Sequence, residues 1–346
     1  MQTKIIALDP LHPDKQAIGQ AAAIIRRGGL VAFPTETVYG LGGDATNCEA
    51  VKKIYQAKGR ASDNPLIIHI AAMSDLARYA AAVPESAKKL AAAFWPGPLT
   101  MILPIKEIIP AAVSGGRDTV AVRLPSDQIA RSLIRAAGTA IAAPSANLSG
   151  KPSPTTPAHV IADLNGRVEM ILAAGSCTVG LESTVISLTG ATARLLRPGG
   201  ITYEMLCRVL GDVEIDAGVT HRVDDRARVA SPGMKYKHYA PNARLTLVKG
   251  GAPASARYIK AHMLDPDKEG IVCFDEETPL YAGYRVFPYG GRDQDNQQGQ
   301  RLFAVLRSLD QAGITRAYVR CPDTAGVGLA VYNRLLRAAA FDLVEV

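Results

Sequence analysis

Residues 58–69, KGRASDNPLIIH, set charged and polar groups beside a short apolar run. Lys58 and Arg60 stand two residues apart at the end of a helical stretch. Asn64-Pro65 interrupts the helix, and the apolar run Leu66–Ile70 contains His69. In an extended segment, residues i and i+2 share a face, so both cations would reach one pocket. Paired cations beside a buried strand are costly unless they meet an anion, such as a carboxylate, a bicarbonate or a phosphate. The competing explanation is a solvated helix end, where Lys and Arg favour the C-terminal dipole. Taken alone, the pair is better explained that way.

Two other segments alter the balance. Pro34–Gly42 reads PTETVYGLG and Ala142–Thr155 reads AAPSANLSGKPSPT. Both are small-residue, hydroxyl-rich stretches that suit site loops more than core. Arg60, Ser145, Ser153 and Arg197 supply what a phosphate needs, bidentate guanidinium contacts and single hydroxyl donors. No P-loop is present, because Gly150-Lys151 is followed by Pro152 rather than Ser or Thr. Any phosphate site is therefore assembled from scattered groups. Arg123 lies in TVAVRLP with apolar residues on both sides. An arginine there needs a buried partner, and a structural ion pair serves as well as a ligand carboxylate. His69 closes an apolar strand, where a lone histidine is usually a satisfied core residue. Glu36 and Glu182 suit bases, metal partners or loop pins alike and are not assigned to catalysis.

The elements that must position these groups follow from periodicity. Helical spacing covers Asp14–Arg27, Glu49–Lys58, Ser86–Phe94, Asp127–Ala137 and Thr202–Leu210. Strand patterns cover Leu30–Phe33, Leu66–Ile70, Leu99–Leu103, Val120–Arg123, Ala140–Ala143, Glu169–Ala173, Ser183–Leu188 and Ala193–Leu196. Without strict alternation, this predicts an α/β chain of the α+β type, whose N-terminal domain (1–210) holds a mixed twisted sheet with helices. Residues 211–244 lack periodicity and read as a linker. From 245 to 346, strands and helices alternate, which predicts a small parallel α/β, Rossmann-like domain.

Composition bounds the class. Of 346 residues, 48% are apolar and 21% charged, enough for a sizeable core. No apolar run approaches a membrane span, and the opening MQTKIIALDP lacks a signal-peptide core, so membrane and secretory classes are not expected. Five cysteines without a CxxC predict a reducing, cytoplasmic setting and no zinc site. Residues 1–210 carry 21 Lys/Arg against 15 Asp/Glu, whereas 246–346 carry 12 of each. The basic surplus sits with the motifs and suits an anionic ligand, with at most weak RNA binding.

Taken together, the segments around Lys58, Thr37 and Ser145 resemble the YrdC-like family of threonylcarbamoyl-AMP synthases. The likeness continues through FWPGPLT (94–100), TVAVRLP (119–125), GLESTVI (180–186), LLRPGGIT (195–202) and SPGMKYKHYAP (231–241), the last marking the long, two-domain form. The resemblance implies an ATP-dependent enzyme that makes L-threonylcarbamoyl-AMP from L-threonine, bicarbonate and ATP. Pyrophosphate is released, and the product serves tRNA modification beside the anticodon. It implies a catalytic tetrad of Lys58, Arg60, Ser145 and Asn147. It implies ATP contacts from Arg60, Asn64, Thr119, Ser145, Ser153 and Arg197. A threonine pocket of Thr37, His69, Arg123, Ala143 and Ser183 is implied as well. Mg²⁺ is expected on the triphosphate, and a tRNA threonylcarbamoyl-transfer machinery is the expected downstream partner. The basic, aromatic segment 231–241 suggests a lid over the site, with Tyr236 and His238 nearest the nucleotide. Two other readings remain: a non-catalytic RNA-binding or ribosome-maturation protein, and a carbamoyltransferase acting on another amine.

Overall fold

Capping side chains decide where the helices start. Helix α1 (Lys15–Arg26) opens under Asp14, which accepts from the Gln16 amide. Helix α2 (Cys48–Lys58) opens under Asn47 and stops at Gly59, whose φ of 62° is left-handed. The computed structural model describes residues 1–222 and 238–346. These divide into two units, one of residues 1–149 and 153–219, the other mainly of the chain from 238 onward.

The first unit also contains α3 (Leu76–Tyr79), α4 (Glu85–Phe94), α5 (Ala111–Ser114), α6 (Gln128–Ala137), α7 (Pro157–Leu164) and α8 (Tyr203–Leu210). Its sheet is built from β1 (Lys4–Ala7), β2 (Val31–Phe33), β3 (Gly40–Asp44), β4 (Ile67–His69), β5 (Leu99–Pro104) and β6 (Thr119–Arg123). It continues with β7 (Ile141–Ala142), β8 (Met170–Ala173), β9 (Thr184–Ser187), β10 (Ala193–Arg197) and β11 (Val213–Ile215). The spatial order is β1-β8-β2-β3-β7-β4-β6-β5-β9-β10-β11. Neighbours are both parallel (β4 with β6) and antiparallel (β5 with β6), the mixed sheet that the patterning predicts.

The two faces of this sheet are covered differently. On one face Ile68, Val122, Met101 and Ile186 join a large core with Ile54 of α2, Leu90 of α4, Val160 of α7 and Leu206 of α8. On the other, Phe33, Ile141 and Leu172 pack under Ile18 and Ile25 of α1 and Ile129 and Leu133 of α6. Register carries this second face onward. Ile141 stands opposite His69, His69 opposite Arg123, and Arg123 opposite Thr100. Paired residues share a face, so these side chains continue the α1/α6 face beyond β7. There the apolar cluster shrinks to Ile67, Ile102, Ala121, Val185 and Leu196, all from strands. Helical cover thus stops where a polar row begins.

Two predicted elements differ. The sequence places Gly40–Gly42 in a loop, yet GLGGD is β3, in the middle of the sheet. Glycine has low strand propensity, but a Cβ on Gly42 would lie 2.6 Å from both Phe33 Cε1 and Ile141 Cγ2. Close packing over Gly42 leaves no room for a side chain at that position. The predicted linker 211–244 also starts too early, because Val213–Ile215 pairs in parallel with β10 and extends the first sheet.

The second unit contains β12 (Arg244–Lys249), α9 (Ala252–His262), β13 (Glu269–Cys273), β14 (Val286–Pro288), α10 (Asp295–Gln311), β15 (Arg316–Arg320), α11 (Gly328–Ala338) and β16 (Leu343–Glu345). All its strand pairs are parallel, in the order β14-β13-β15-β12-β16. Arg320 is fully buried beside Glu277 and donates to the Val248 and Gly250 carbonyls, pinning the β12–α9 turn. Among the described residues, no helix is long and apolar enough to cross a membrane.

Candidate active site

Lys58 is the last residue of α2, not part of an extended segment. Gly59 turns the chain, so Lys58 and Arg60 do not share a strand face as the spacing suggested. Lys58 is only 2% exposed, and its Nζ donates to the Ser145 and Asn147 carbonyls, both at 2.5 Å. Its own carbonyl accepts from the Ser149 amide at 2.9 Å. Burial, and then the neighbouring Arg60 charge, hold the amine well below the usual lysine range. Half-buried Arg60 reaches the Asn64 and Pro65 carbonyls at 3.5 and 3.2 Å. The four predicted tetrad residues are therefore joined by α2, its C-cap and the loop after β7.

That loop is held from the other side by the PTETVYGLG segment. Ala146 donates to the Tyr39 carbonyl at 2.7 Å, and Leu41 donates to the Pro144 carbonyl at 2.9 Å. The Tyr39 hydroxyl in turn donates to the Gly175 carbonyl. Within the segment, Thr37 is fully buried and its Oγ1 lies 2.8 Å from that of Thr35.

Among the described residues, Arg123 has two side-chain partners. Nη1 donates to Thr37 Oγ1 at 2.9 Å, and Nη2 lies 2.8 Å from Glu36 Oε1. Both Arg123 and Glu36 are buried. Burial pushes the Glu36 carboxyl up, but the Arg123 guanidinium, together with hydrogen bonds from the Ser126 and Glu36 backbone, brings the group below its ordinary value. The structural ion pair left open by the sequence exists, and it aims the guanidinium. His69 stands beside Arg123 on β4 with its ring edge-on to Phe33. It is buried, and its Nδ1 has no hydrogen-bond partner among the described residues. An unmet buried nitrogen is not the satisfied core histidine that a lone His usually is. Ala143 is buried at the end of β7.

Burial, and then the Arg123 charge, push the His69 imidazole down to about 3 from its ordinary 6.5. The unfolded chain takes up this proton below pH ~6.5 while the folded chain refuses it until about 3. This contribution to stability is therefore present above pH 6.5 and lost as pH falls through that window. Asp127, at the cap of α6, acts oppositely, since burial raises it to about 6. The His69 effect is thus read as a difference. We expect the melting temperature of wild type to fall more steeply between pH 6.5 and 4 than that of His69→Gln. Parallel curves would contradict the assignment.

Ser183 and Arg197 lie further along the same row. Thr100 Oγ1 is 2.7 Å from Ser183 Oγ, and Arg197 donates to Ser183 from Nε (to its carbonyl, 3.0 Å) and Nη2 (to its hydroxyl, 3.1 Å). All three residues are buried. Ser153 Oγ donates to Glu182 Oε1, also buried, so Glu182 pins the 150s loop. Buried Asn64 leaves its Oδ1 without a partner among the described residues. Thr119 shares the Arg123 face of β6, four residues away. Behind Ser183 stands Gly199. A Cβ there would lie 2.8 Å from both the Glu182 carbonyl oxygen and the Ser183 carbonyl carbon, and closer still to the Thr184 nitrogen. We expect Gly199→Ala to displace this loop and lower activity about 5- to 150-fold, the equivalent of an overpacking cost of ~1–3 kcal/mol falling on the transition state. Unchanged steady-state rates would contradict this.

Tyr236 falls outside the described residues. His238 belongs to the second unit, where its ring lies 5.6 Å from that of Tyr239. Sequence reasoning missed Thr100 and left Glu36 and Glu182 unassigned. The available signal for Thr100 was a single hydroxyl in the otherwise apolar strand LTMILP.

Comparison with known proteins bears on this arrangement. A family model described as telomere recombination, covering Sua5, YciO and YrdC, matches residues 23–199. A second, described as the threonylcarbamoyl-AMP synthase C-terminal domain, matches 201–340. The chain is 45% identical over 350 residues to the Bacillus subtilis threonylcarbamoyl-AMP synthase, covering all of both chains. It is 45% identical to the Pyrococcus abyssi threonylcarbamoyl-AMP synthase over 94% of this chain and 95% of that one. A crystal structure of P. abyssi Sua5 complexed with L-threonine matches 99% of this chain and 100% of that one, with a TM-score of 0.93 and 43% identity. With both family models and full-length relatives in agreement, the chain belongs to the threonylcarbamoyl-AMP synthase family.

Proposed function

We propose that this enzyme condenses L-threonine, bicarbonate and ATP into L-threonylcarbamoyl-AMP and pyrophosphate, for N6-threonylcarbamoyladenosine modification of tRNA. The observation that carries the reading is the buried polar row His69–Arg123–Thr100–Ser183–Arg197 beside a loop gripped by Lys58. Full-length likeness to named synthases supports it. The threonine amine adds to bicarbonate with loss of water, giving a carbamate. The carbamate oxygen then attacks the α-phosphate of ATP, and pyrophosphate leaves. Such chemistry needs reactants held close in a site that excludes water.

In this reading Arg123, aimed by Glu36 and Thr37, receives the threonine carboxylate, with His69, Ala143 and Ser183 around it. Lys58 and Arg60 supply positive charge to the carbamate and phosphates. Lys58 does so from behind the loop that it holds, and so also fixes Ser145 and Asn147. Asn64, Thr119, Ser153 and Arg197 serve the nucleotide; the expectation that Tyr236 and His238 also do so rests on the basic, aromatic composition of residues 231–241. Residues 1–210 carry the chemistry. Among the described residues, no group of three or more His, Cys, Asp or Glu is placed to hold a metal. Mg²⁺ is the ion expected on the triphosphate, where phosphate oxygens and water would hold most of its coordination. Five free cysteines support a reducing, cytoplasmic setting.

The test is pyrophosphate release from ATP by the purified protein. Release that requires both threonine and bicarbonate supports the reading. Release that needs neither, or that proceeds equally with unrelated amines, overturns it.

A further inference from the structure

We propose that Thr100 is a positioning residue whose hydroxyl couples the amino-acid subsite to the nucleotide subsite through Ser183 and Arg197. The inference rests on the functional reading above, which places Ser183 in the first subsite and Arg197 in the second. It goes further by making the two subsites energetically dependent on each other.

A serine hydroxyl has one proton and two lone pairs. Arg197 Nη2 occupies one lone pair of Ser183 Oγ at 3.1 Å. Thr100 Oγ1, at 2.7 Å, is either donor or acceptor in the next bond. If Ser183 donates to Thr100, its only proton is used and it has nothing to give an anionic ligand. If Thr100 donates to Ser183, both lone pairs are filled and the Ser183 proton is released toward the ligand. Thr100 is fully buried, so bulk water does not compete for its hydroxyl. The two hydroxyls therefore have two settings, and no covalent bond changes between them.

A carboxylate in the amino-acid subsite selects the second setting. Hydrogen bonds in a chain polarise one another, so a Ser183 oxygen that donates to an anion accepts more strongly from Arg197. That tightens the guanidinium in the place from which it meets phosphate. The backbone limits slack in the relay. Thr100 sits in register between Arg123 and Val185. Arg197 also holds the Ser183 carbonyl, and Gly199 presses on the Ser183 backbone from behind. Linkage makes the effect mutual, because a nucleotide that orders Arg197 must improve threonine affinity by the same factor.

Calorimetry on the full-length protein tests this. L-threonine is titrated with and without a non-hydrolysable ATP analogue. In wild type, and in Thr100→Ser, the analogue is expected to tighten threonine about tenfold, within the range usual for coupled sites. In Thr100→Val, which keeps the shape and loses the hydroxyl, the tightening should shrink to the part carried by direct polarisation through Ser183, because the carboxylate has no setting left to select. Full tightening in Thr100→Val, or equal weakening of both ligands with their ratio intact, would show a packing role and overturn the proposal. Should Thr100→Val fail to fold, Ser183→Ala removes the middle of the relay. Tightening that survives in Ser183→Ala overturns the proposal equally. Wild-type protein that binds both ligands without mutual tightening overturns the relay alone. Wild-type protein that binds neither overturns the functional reading on which it stands.

Discussion

Replacing Lys58 with alanine is expected to lower threonine-dependent pyrophosphate release by about 10²- to 10⁴-fold. Two charge-assisted bonds, to the Ser145 and Asn147 carbonyls, are lost together. Each such bond is worth roughly 1.5–3 kcal/mol, and ~1.4 kcal/mol is tenfold in rate. The loss acts twice, because the charge goes and the loop it held is freed. Lys58→Met, which fills most of the same space, should be almost as inactive, separating charge from volume. Lys58→Arg should not rescue, since a planar fork does not fit a compact, 2% exposed site built for an ammonium. Melting curves of the Met variant should stay within a few degrees of wild type, because the buried ammonium itself carries a desolvation cost. A Lys58→Ala protein with full turnover would remove Lys58 from the mechanism.

Arg123→Ala should abolish measurable threonine binding and also destabilise the protein by about 3–5 kcal/mol. The second effect follows because Glu36 would be left buried beside no counter-charge. Loss of binding and loss of fold are separated by a double variant. Arg123→Met with Glu36→Gln removes both charges, and replacement of a buried ion pair by neutral groups is often close to neutral in stability. We expect this variant to melt near wild type yet bind threonine no better than Arg123→Ala. Recovery of threonine affinity in the double variant would show that Arg123 exists only to satisfy Glu36. Calorimetry for affinity and thermal melts for stability decide between the two.

The parts of this molecule legible in its sequence are those governed by local rules. Helices α1, α2 and α6 announce themselves through Asp14, Asn47 and Asp127 caps and an apolar stripe. Strands β5 and β6 are apolar runs bounded by turn residues. β3 was hidden because its glycines satisfy a packing demand set by Phe33 and Ile141, which are distant in sequence. The same division holds at the site. Residue types marked Arg123 and the Ser145 loop as chemical, but Lys58 finds its partners among backbone carbonyls, which no side-chain pattern reveals. The Arg123–Glu36 pair and the Thr100–Ser183 contact are products of strand order, and a mixed sheet of this order is not deducible from alternation alone. The family resemblance grouped residues that physical reading of the sequence left separate.

The strand order carries a further consequence, for the timing of folding. Lys4 pairs with Met170, Gly43 with Ala142, and Leu99 with Thr184. Pairings across such separations close long loops before they are rewarded, so the first unit should fold slowly for its size. The polar row needs β4, β5, β6 and the start of β9 in place, and its last member, Arg197, ends β10. A nascent chain has no site until Arg197 has left the ribosome and the outer strands have docked. In the functional reading proposed here, synthesis of a labile adenylate is thereby withheld from unfinished chains by topology alone, with no inhibitor required.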